Sequence, residues 1–292
     1  MSNQTQAEWL AEHRHGIGGS DAAAVLNLSP WATPYDVWCA KVGEAAPPGP
    51  SREMTWIGVA LEDAMRKEYA LRAGQPILMP TLMRHSEIPW LIGTPDGRGM
   101  EDGRIVEIKT ARHGAGWGEP GTDEIPLHYL VQVHHYLMLC PEAPFADVAV
   151  LIAGADFRIY RVERDASVEA DLLAREAAFW RLVRERTPPP VTRLSDAVRR
   201  WGRLSRPGAV VADQAAAEAI ERLRERRDSL KEAEDAQDAD KALVMAALGD
   251  AGDTLVDDGG NVLATWKLNK GRKAYTVEAK EPFRQFFLPL KG

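Results

Sequence analysis

The chain has 292 residues, of which 45% are hydrophobic and 27% charged, and its formal net charge is −7. This composition is typical of a globular protein with one large domain or two small ones, and it excludes a chain that is disordered throughout. The longest apolar run, at 148–155, is far shorter than the roughly 20 residues of a membrane helix, which excludes a transmembrane protein. The polar N-terminal stretch has no secretory signal pattern, so we expect a cytoplasmic protein.

Charge and cysteine content restrict the chemistry further. Two cysteines, Cys39 and Cys140, are too few for a disulfide framework or an iron–sulfur cluster. The acidic average argues against a nucleic-acid partner, because DNA binding depends on Lys and Arg at phosphates. However, the segment from Trp266 to Gly292 has seven basic and two acidic residues, a net charge of +5. A local basic surface therefore remains compatible with the sequence.

Two proline-rich breaks, at 43–50 and 186–192, predict loops. Before the first break we expect two short helices, one capped by Ser20. The other has Thr33 as N-cap, Pro34 at the first helical position and Gly43 at its end. Hydrophobic spacing then predicts, in chain order, a helix at 51–74, antiparallel strands at 77–85, 90–97 and 104–111, a helix at 125–140, strands at 145–154 and 157–165, and a helix at 166–186. This order predicts an α/β (α+β) fold with a mixed sheet flanked by helices.

The character of the chain changes after the second break. Residues 213–248 are rich in Ala, Glu, Arg, Asp and Leu, which predicts a long helix or a helical hairpin. A β-hairpin is expected at 255–269, with Asp258-Gly259-Gly260 as its turn. We therefore predict two domains, 1–190 and a C-terminal extension at 191–292.

Three polar side chains occur on the predicted strands where a hairpin would gather them. Asp96 lies in TPDG, and the following strand carries Glu107 and Lys109, which point to the same side because strand side chains alternate. Two carboxylates and the Ile108 carbonyl are ligands that Mg²⁺ accepts, and Lys109 would lie beside a metal-bound water. In isolation, each piece is more often an ordinary turn sequence or a solvated strand face than a catalytic group. Their combination favours phosphodiester hydrolysis.

Asp96 and Glu107-Ile108-Lys109 match the PD-(D/E)xK nuclease signature. Their setting resembles the YqaJ branch of viral recombination nucleases, relatives of phage lambda exonuclease, over about residues 8–190. The most specific part of the resemblance is the N-terminal run, with Trp9, Arg14, Gly16-Ile17-Gly18-Gly19-Ser20-Asp21, Ser29, Thr33, Trp38, Lys41 and Gly43. The resemblance implies a restriction-endonuclease-like fold, with a mixed central sheet flanked by helices.

The resemblance also implies roles for single residues. Glu62 matches a helix glutamate that approaches the metal, and Gln132 matches the active-site helix glutamine. Arg14 and Ser20 match residues that bind the 5′ phosphate of the substrate, and Thr94 occupies a position from which a hydroxyl could reach the same phosphate.

Three residues near Gln132 have less certain roles. For Tyr136, one turn along the same helix face, core packing and a site role are equally expected. Adjacent residues of a helix cannot both face one ion, so we expect His134 and His135 to support a metal ligand from behind or to lie at the surface.

The implied function is a Mg²⁺-dependent exonuclease, with Mn²⁺ as a substitute, that digests linear double-stranded DNA from the 5′ end and leaves 3′ single strands for phage-type recombination. DNA ends and a single-strand annealing protein are the implied partners, in a bacterial or phage-infected cell. A homo-oligomeric trimer stays open, because the region after residue 190 does not match lambda exonuclease. The alternatives are a structure-specific endonuclease of the same fold and a non-catalytic DNA-binding or assembly module. A small-molecule hydrolase is disfavoured because the sequence lacks a GxSxG motif and a Cys/His pairing.

Overall fold

The structure, a computed structural model, describes residues 12–44, 52–204 and 207–268, and the side chains of 52–55 are outside that description. From residue 269 onward, the predicted basic tail also lies outside the described residues. The chain divides into two compact units, Met1–Ala197 and Val198–Gly292. No described helix combines the length and apolar character that a bilayer crossing requires.

Two short helices open the first unit, α1 at Gly19–Val25 and α2 at Pro34–Val42. The cap predicted for α1 is wrong: the helix starts after Gly18, whose N–H donates to the Asp21 carboxylate at 3.0 Å, so Ser20 lies within the first turn. The prediction for α2 is confirmed. Thr33 Oγ1 accepts from the Asp36 N–H at 3.1 Å, and Gly43 ends the helix with a φ of 85°.

The next elements are α3 at Arg52–Ala73 and the strands β1 at Ile77–Leu78, β2 at Met83–Arg84, β3 at Ile92–Gly93, β4 at Gly97–Gly99 and β5 at Ile105–Ala111. The single strand predicted at 77–85 is wrong, since β1 pairs with β4 whereas β2 pairs with β3. Pro80 lies between them and has no N–H for a sheet ladder. The strand predicted at 90–97 is also divided, and the partner of β5 begins only after Asp96.

The first unit continues with α4 at Leu127–Leu139, β6 at Phe145–Ile152, β7 at Asp156–Glu163 and α5 at Ala166–Arg184. In the described residues the main sheet has the order β1-β4-β5-β6-β7, and all pairs are antiparallel except β5 with β6. Helix α4 forms the crossover between these two parallel strands. The predicted fold class, a mixed sheet flanked by helices, is confirmed.

Helices cover both faces of this sheet. On one face, Met65 and Tyr69 of α3 pack against Val106 and Ile108 of β5. On the other face, α1 and α4 pack against alternate strand residues through Ala22, Ala23, Val133, Leu137, Ile105 and Val148. Because strand side chains alternate, β5 presents Glu107 on the face covered by α4.

A short helix that the sequence reasoning missed, α6 at Leu194–Trp201, begins at the end of the first unit. Its Asp196 is fully buried and accepts hydrogen bonds from Thr33 Oγ1 at 2.9 Å and from the Thr192 N–H at 3.0 Å. These bonds tie the stretch after the proline-rich break to the N-cap of α2. The first unit therefore extends beyond residue 190.

The second unit contains one continuous helix, α7 at Gln214–Leu248, and not a helical hairpin. The predicted β-hairpin is confirmed, with β8 at Thr254–Val256 and β9 at Val262–Thr265. In its turn the Asp257 carboxylate accepts from the N–H groups of Gly259 and Asn261, and Gly260 has a φ of 80°.

Candidate active site

The start of β4 brings Asp96 to the middle of β5. Gly97 pairs with Val106 in the antiparallel ladder, and Asp96 Oδ2 accepts a hydrogen bond from the Ile108 N–H at 2.7 Å. The carboxylate thus lies against the segment that carries Glu107, which is the convergence that the hairpin argument predicts. Burial raises the pKa of Asp96 above its ordinary value.

Glu107 lies at the centre of the site and is only 2% exposed. Its Oε1 accepts from Lys109 Nζ at 2.5 Å and from Gln132 Nε2 at 2.7 Å. Its Oε2 is buried and has no hydrogen-bond partner among the described residues. Burial, followed by the charge of Asp96, raises the pKa of Glu107 to about 8. An uncompensated carboxylate oxygen in such a setting favours binding of a cation.

The ammonium group of Lys109 shares this buried setting. Burial alone lowers its pKa, but the carboxylates of Glu107 and Asp96 outweigh that effect, so the pKa is raised overall. The Nζ atom also lies 5.0 Å from the centre of the Tyr129 ring, within the range of a cation–π contact. Lys109 is therefore a fixed positive charge beside Glu107.

Helix α4 supplies Gln132 and, one turn later, Tyr136. The two side chains are hydrogen-bonded at 3.2 Å, and the Tyr136 hydroxyl donates to the Thr94 carbonyl at 3.4 Å. The ring of Tyr136 is buried against Gly19 and Gly93, where a Cβ atom would lie 2.5 and 2.7 Å from it. Tyr136 thus packs in the core and also orients Gln132, which combines the two roles expected for it. The same contact requires a glycine at residue 19, within the Gly16–Ser20 segment.

The two histidines after Gln132 lie away from the site. The surface role considered for them is wrong, because His134 is 4% exposed and His135 is fully buried. The His135 ring lies between the Glu176 carboxylate and the Ile92 carbonyl, at 2.8 Å from each. It therefore joins α4 to α5 and β3 and takes no part in the cavity.

Glu62 approaches the site from α3, paired with a residue that the sequence reasoning missed. Arg66 is 6% exposed, and its guanidinium donates to Glu62 Oε1 at 2.5 Å and to the backbone carbonyl of Asp96 at 2.9 Å. Burial and the charge of Asp96 raise the pKa of Glu62. The sequence signal that could have identified Arg66 is its spacing of four residues from Glu62, because residues four apart share a helix face.

The predicted catalytic side chains line one cavity of about 560 Å³. Its wall includes six residues predicted from the sequence, namely Ser20, Glu62, Asp96, Glu107, Lys109 and Gln132. It also includes three residues that were not predicted, namely Trp31, His128 and Tyr129. Of the three residues predicted to bind phosphate, only Ser20 belongs to this wall. Arg14 and Thr94 are exposed outside it, and Thr94 contributes its backbone carbonyl to Tyr136.

The donor set fits a hard divalent cation. Asp96, Glu107 and the Ile108 carbonyl offer oxygen atoms, and Mg²⁺ typically takes one or two carboxylates while keeping waters and substrate phosphate as further ligands. The described residues contain no group of three or more His, Cys, Asp or Glu side chains arranged as a complete metal cage.

Comparison with known proteins supports the resemblance read from the sequence. Residues 8–142 match the YqaJ-like viral recombinase domain, which confirms the predicted resemblance for that part of the chain. The protein YqaJ of Bacillus subtilis (strain 168) is 36% identical over 183 residues, which are 61% of this chain and 56% of that protein. The chain thus spans just over half the length of this relative.

Two solved structures have low overall similarity to the chain. An alkaline exonuclease (LHK-Exo) from Laribacter hongkongensis is 18% identical, with a TM-score of 0.49 over 62% of this chain and 94% of that one. A phage-related exonuclease from Haemophilus somnus 129PT is 15% identical, with a TM-score of 0.46 over 59% of this chain and 94% of that one.

Proposed function

We propose that this chain, whose residues 8–142 match the YqaJ-like viral recombinase domain, is a Mg²⁺-dependent DNA exonuclease. The observation that carries the proposal is the convergence of Asp96, Glu107, Lys109 and Gln132 on one cavity. Two carboxylates, one ammonium and one amide are the groups that metal-assisted hydrolysis of a phosphodiester needs. The family match adds DNA recombination as the process that the domain serves.

In this proposal each side chain has a chemical task. Mg²⁺, held by Asp96, Glu107 and the Ile108 carbonyl with Glu62 nearby, would neutralise the charge of the phosphate and stabilise the attacking and leaving oxygens. Gln132 orients a water molecule from the α4 side of the cavity.

Lys109 and the residues that approach the phosphate complete the set. The Lys109 ammonium reaches Glu107 Oε1 together with Gln132, so it offsets negative charge at the place where the phosphate reacts. Ser20, on the cavity wall, donates its hydroxyl to a phosphate oxygen. Arg14 and Thr94 act on the terminal phosphate from outside the cavity.

The proposed substrate is the end of linear double-stranded DNA. Digestion from the 5′ end would leave a 3′ single strand for a single-strand annealing protein, in the cytoplasm of a bacterial or phage-infected cell. Mn²⁺ would substitute for Mg²⁺, because both accept oxygen ligands. A trimer is the oligomer that the resemblance to lambda exonuclease suggests.

Product analysis tests this function. Linear duplexes labelled at either end and a covalently closed circle of the same sequence are incubated with the protein and Mg²⁺. We expect release of mononucleotides from the 5′-ended strand of the linear duplex and no change in the circle. Cleavage of the circle would support the structure-specific endonuclease, and binding without any cleavage would support the non-catalytic module.

A further inference from the structure

Trp31 is exposed at the wall of the active-site cavity. Its side chain is 58% exposed, and it lines the same cavity as Asp96 and Glu107. A single exposed apolar side chain is ordinary on a protein surface. Because Trp31 lies on the wall that holds the candidate catalytic groups, its exposed ring can contact a substrate in the cavity.

The backbone that carries Trp31 is held by several hydrogen bonds. Ser29 is 6% exposed, and its Oγ accepts from the N–H groups of Trp31 at 3.2 Å and Ala32 at 3.3 Å. Arg193 adds bonds from its guanidinium to the carbonyls of Ser29 at 2.5 Å and Pro30 at 3.3 Å. The loop is therefore fixed, so the indole ring is presented at a defined place.

An aromatic series connects Trp31 to the catalytic groups. Its ring makes a T-shaped contact with His128, with 4.8 Å between centroids, and lies 6.1 Å from the Tyr129 ring. Tyr129 in turn lies against the Lys109 ammonium. A row of aromatic rings, inclined to one another, thus leads from the charge that reaches Glu107 to the exposed indole.

We propose that Trp31 is a stacking platform for a nucleobase, and that it holds the base of a nucleotide next to the phosphodiester at Asp96 and Glu107. An aromatic face accepts any of the four bases, because each base has a π face, so stacking positions the nucleotide without reading its sequence. A base inside a duplex is covered on both faces by its neighbours, so the base on the indole is the last one of its strand, whose outer face is free. This inference rests on the proposed nuclease function and adds a residue that positions the substrate in the site.

The test compares two substrates in four proteins. Wild-type digestion of an unmodified, end-labelled duplex first establishes which strand is cut. In the second substrate, tetrahydrofuran abasic residues replace the first three nucleotides of that strand. Initial rates are measured for wild type, Trp31→Ala, Trp31→Phe and Trp56→Ala. Trp56 is a matched control because it is 67% exposed in the same unit and does not line the cavity.

We expect the abasic change to slow the wild type and Trp56→Ala by about 5- to 100-fold, the range of base–aromatic stacking. In Trp31→Ala the unmodified duplex should be slowed by a similar factor and the abasic change should have little further effect, whereas Trp31→Phe should retain most of the base dependence. Because each ratio is taken within one protein, it does not depend on the folded fraction of a variant.

Two outcomes overturn the inference while the wild type still digests the unmodified duplex. One is equal rates on both substrates in the wild type, and the other is an undiminished abasic effect in Trp31→Ala. If the wild type digests neither substrate, the proposed nuclease function itself has failed.

Discussion

Arg66 Nε donates a hydrogen bond to the backbone carbonyl of Asp96 at 2.9 Å, while another nitrogen of the same guanidinium reaches Glu62. One buried cation on α3 thus contacts two residues of the candidate metal site on two separate elements. The contact to Asp96 is made through its backbone, so the carboxylate keeps its own bond to the Ile108 N–H.

This relationship predicts that Arg66 positions the metal site. Arg66→Met should raise the Mg²⁺ concentration for half-maximal cleavage by about 10- to 100-fold, as is usual when a residue behind a metal ligand is lost. Arg66→Lys should recover part of the loss, because one ammonium cannot serve both partners. The measurement is a Mg²⁺ titration of the initial cleavage rate. Asp63→Asn is the control, because the exposed Asp63 also contacts Arg66 but lies off the cavity wall. An unchanged Mg²⁺ requirement in Arg66→Met would contradict the positioning role.

The central trio should be essential for cleavage. Asp96→Asn, Glu107→Gln and Lys109→Met are each expected to abolish product formation and to leave DNA binding largely intact, because these groups handle metal and water. End-labelled duplex assays give the rate, and gel shifts in Ca²⁺, which fits the ligands without supporting turnover, give the binding. Circular dichroism melts control for folding. A near-normal rate at saturating Mg²⁺ in any of the three variants would remove that residue from the site.

Arg14 should act only on phosphorylated ends. Arg14→Ala is expected to slow digestion of 5′-phosphorylated duplexes by about 1.5–3 kcal/mol in activation free energy, the value of a charge-assisted hydrogen bond, and to leave 5′-hydroxyl duplexes nearly unaffected. Competition between the two substrates in one reaction measures the ratio directly. Arg84→Ala, at another exposed arginine, should leave that ratio unchanged. Equal slowing of both substrates by Arg14→Ala would mean that Arg14 binds the DNA backbone generally.

The pair of His135 and Glu176 predicts a pH-dependent stability. Burial lowers the pKa of His135, but Glu176 and the Ile92 carbonyl outweigh it, so its pKa in the folded protein is raised above 6.5. A histidine whose pKa is higher in the folded than in the unfolded chain stabilises the fold. This contribution is fully present at a pH below the pKa of the unfolded chain, and it is lost as the pH rises through the pKa of the folded protein.

Replacing one partner of a buried ion pair costs about 3 kcal/mol. The destabilisation by Glu176→Gln should therefore be largest near about pH 6 and should become smaller toward about pH 9, as the pH rises through the raised pKa of the imidazole. Urea unfolding at both pH values measures it, and His113→Gln, at an exposed histidine, should show little change. A difference between wild type and Glu176→Gln that grows with pH would contradict the raised pKa.

The boundary between the two units predicts different outcomes for two truncations. A chain ending at Trp201 keeps Asp196 and should fold as a nuclease with weaker and less salt-sensitive DNA binding, because fewer phosphates are neutralised without the basic tail. A chain ending at Thr187 loses Asp196 and leaves Thr33 without that acceptor, which should lower its free energy of unfolding by about 1–3 kcal/mol relative to the longer chain.

Urea unfolding and salt-dependent binding of short duplexes check both chains. Equal stability would place the boundary nearer residue 190, and an unchanged salt slope with an altered mass in solution would indicate an oligomer interface in the second unit.

The sequence by itself was sufficient for features that depend on local periodicity and capping. It predicted α2 with its Thr33 and Gly43 ends, the β-hairpin of the second unit and the mixed sheet, whereas it left α7 open between one long helix and a helical hairpin. It also predicted that Glu107 and Lys109 share a strand face, because alternation is a property of the extended backbone. The family resemblance came from residue types at fixed spacings, which also needs no tertiary contact.

Only the tertiary structure decided which distant residues meet. Arg66 and Asp96 are 30 positions apart, and Thr33 and Asp196 are 163 apart, so no local pattern links either pair. The division of the run at 77–85 between two sheets depended on the available partners, because a two-residue strand has too little local preference to select its own. The exposure of Trp31 beside the cavity was equally hidden, since apolar residue types predict burial and only packing decides which of them stay at the surface.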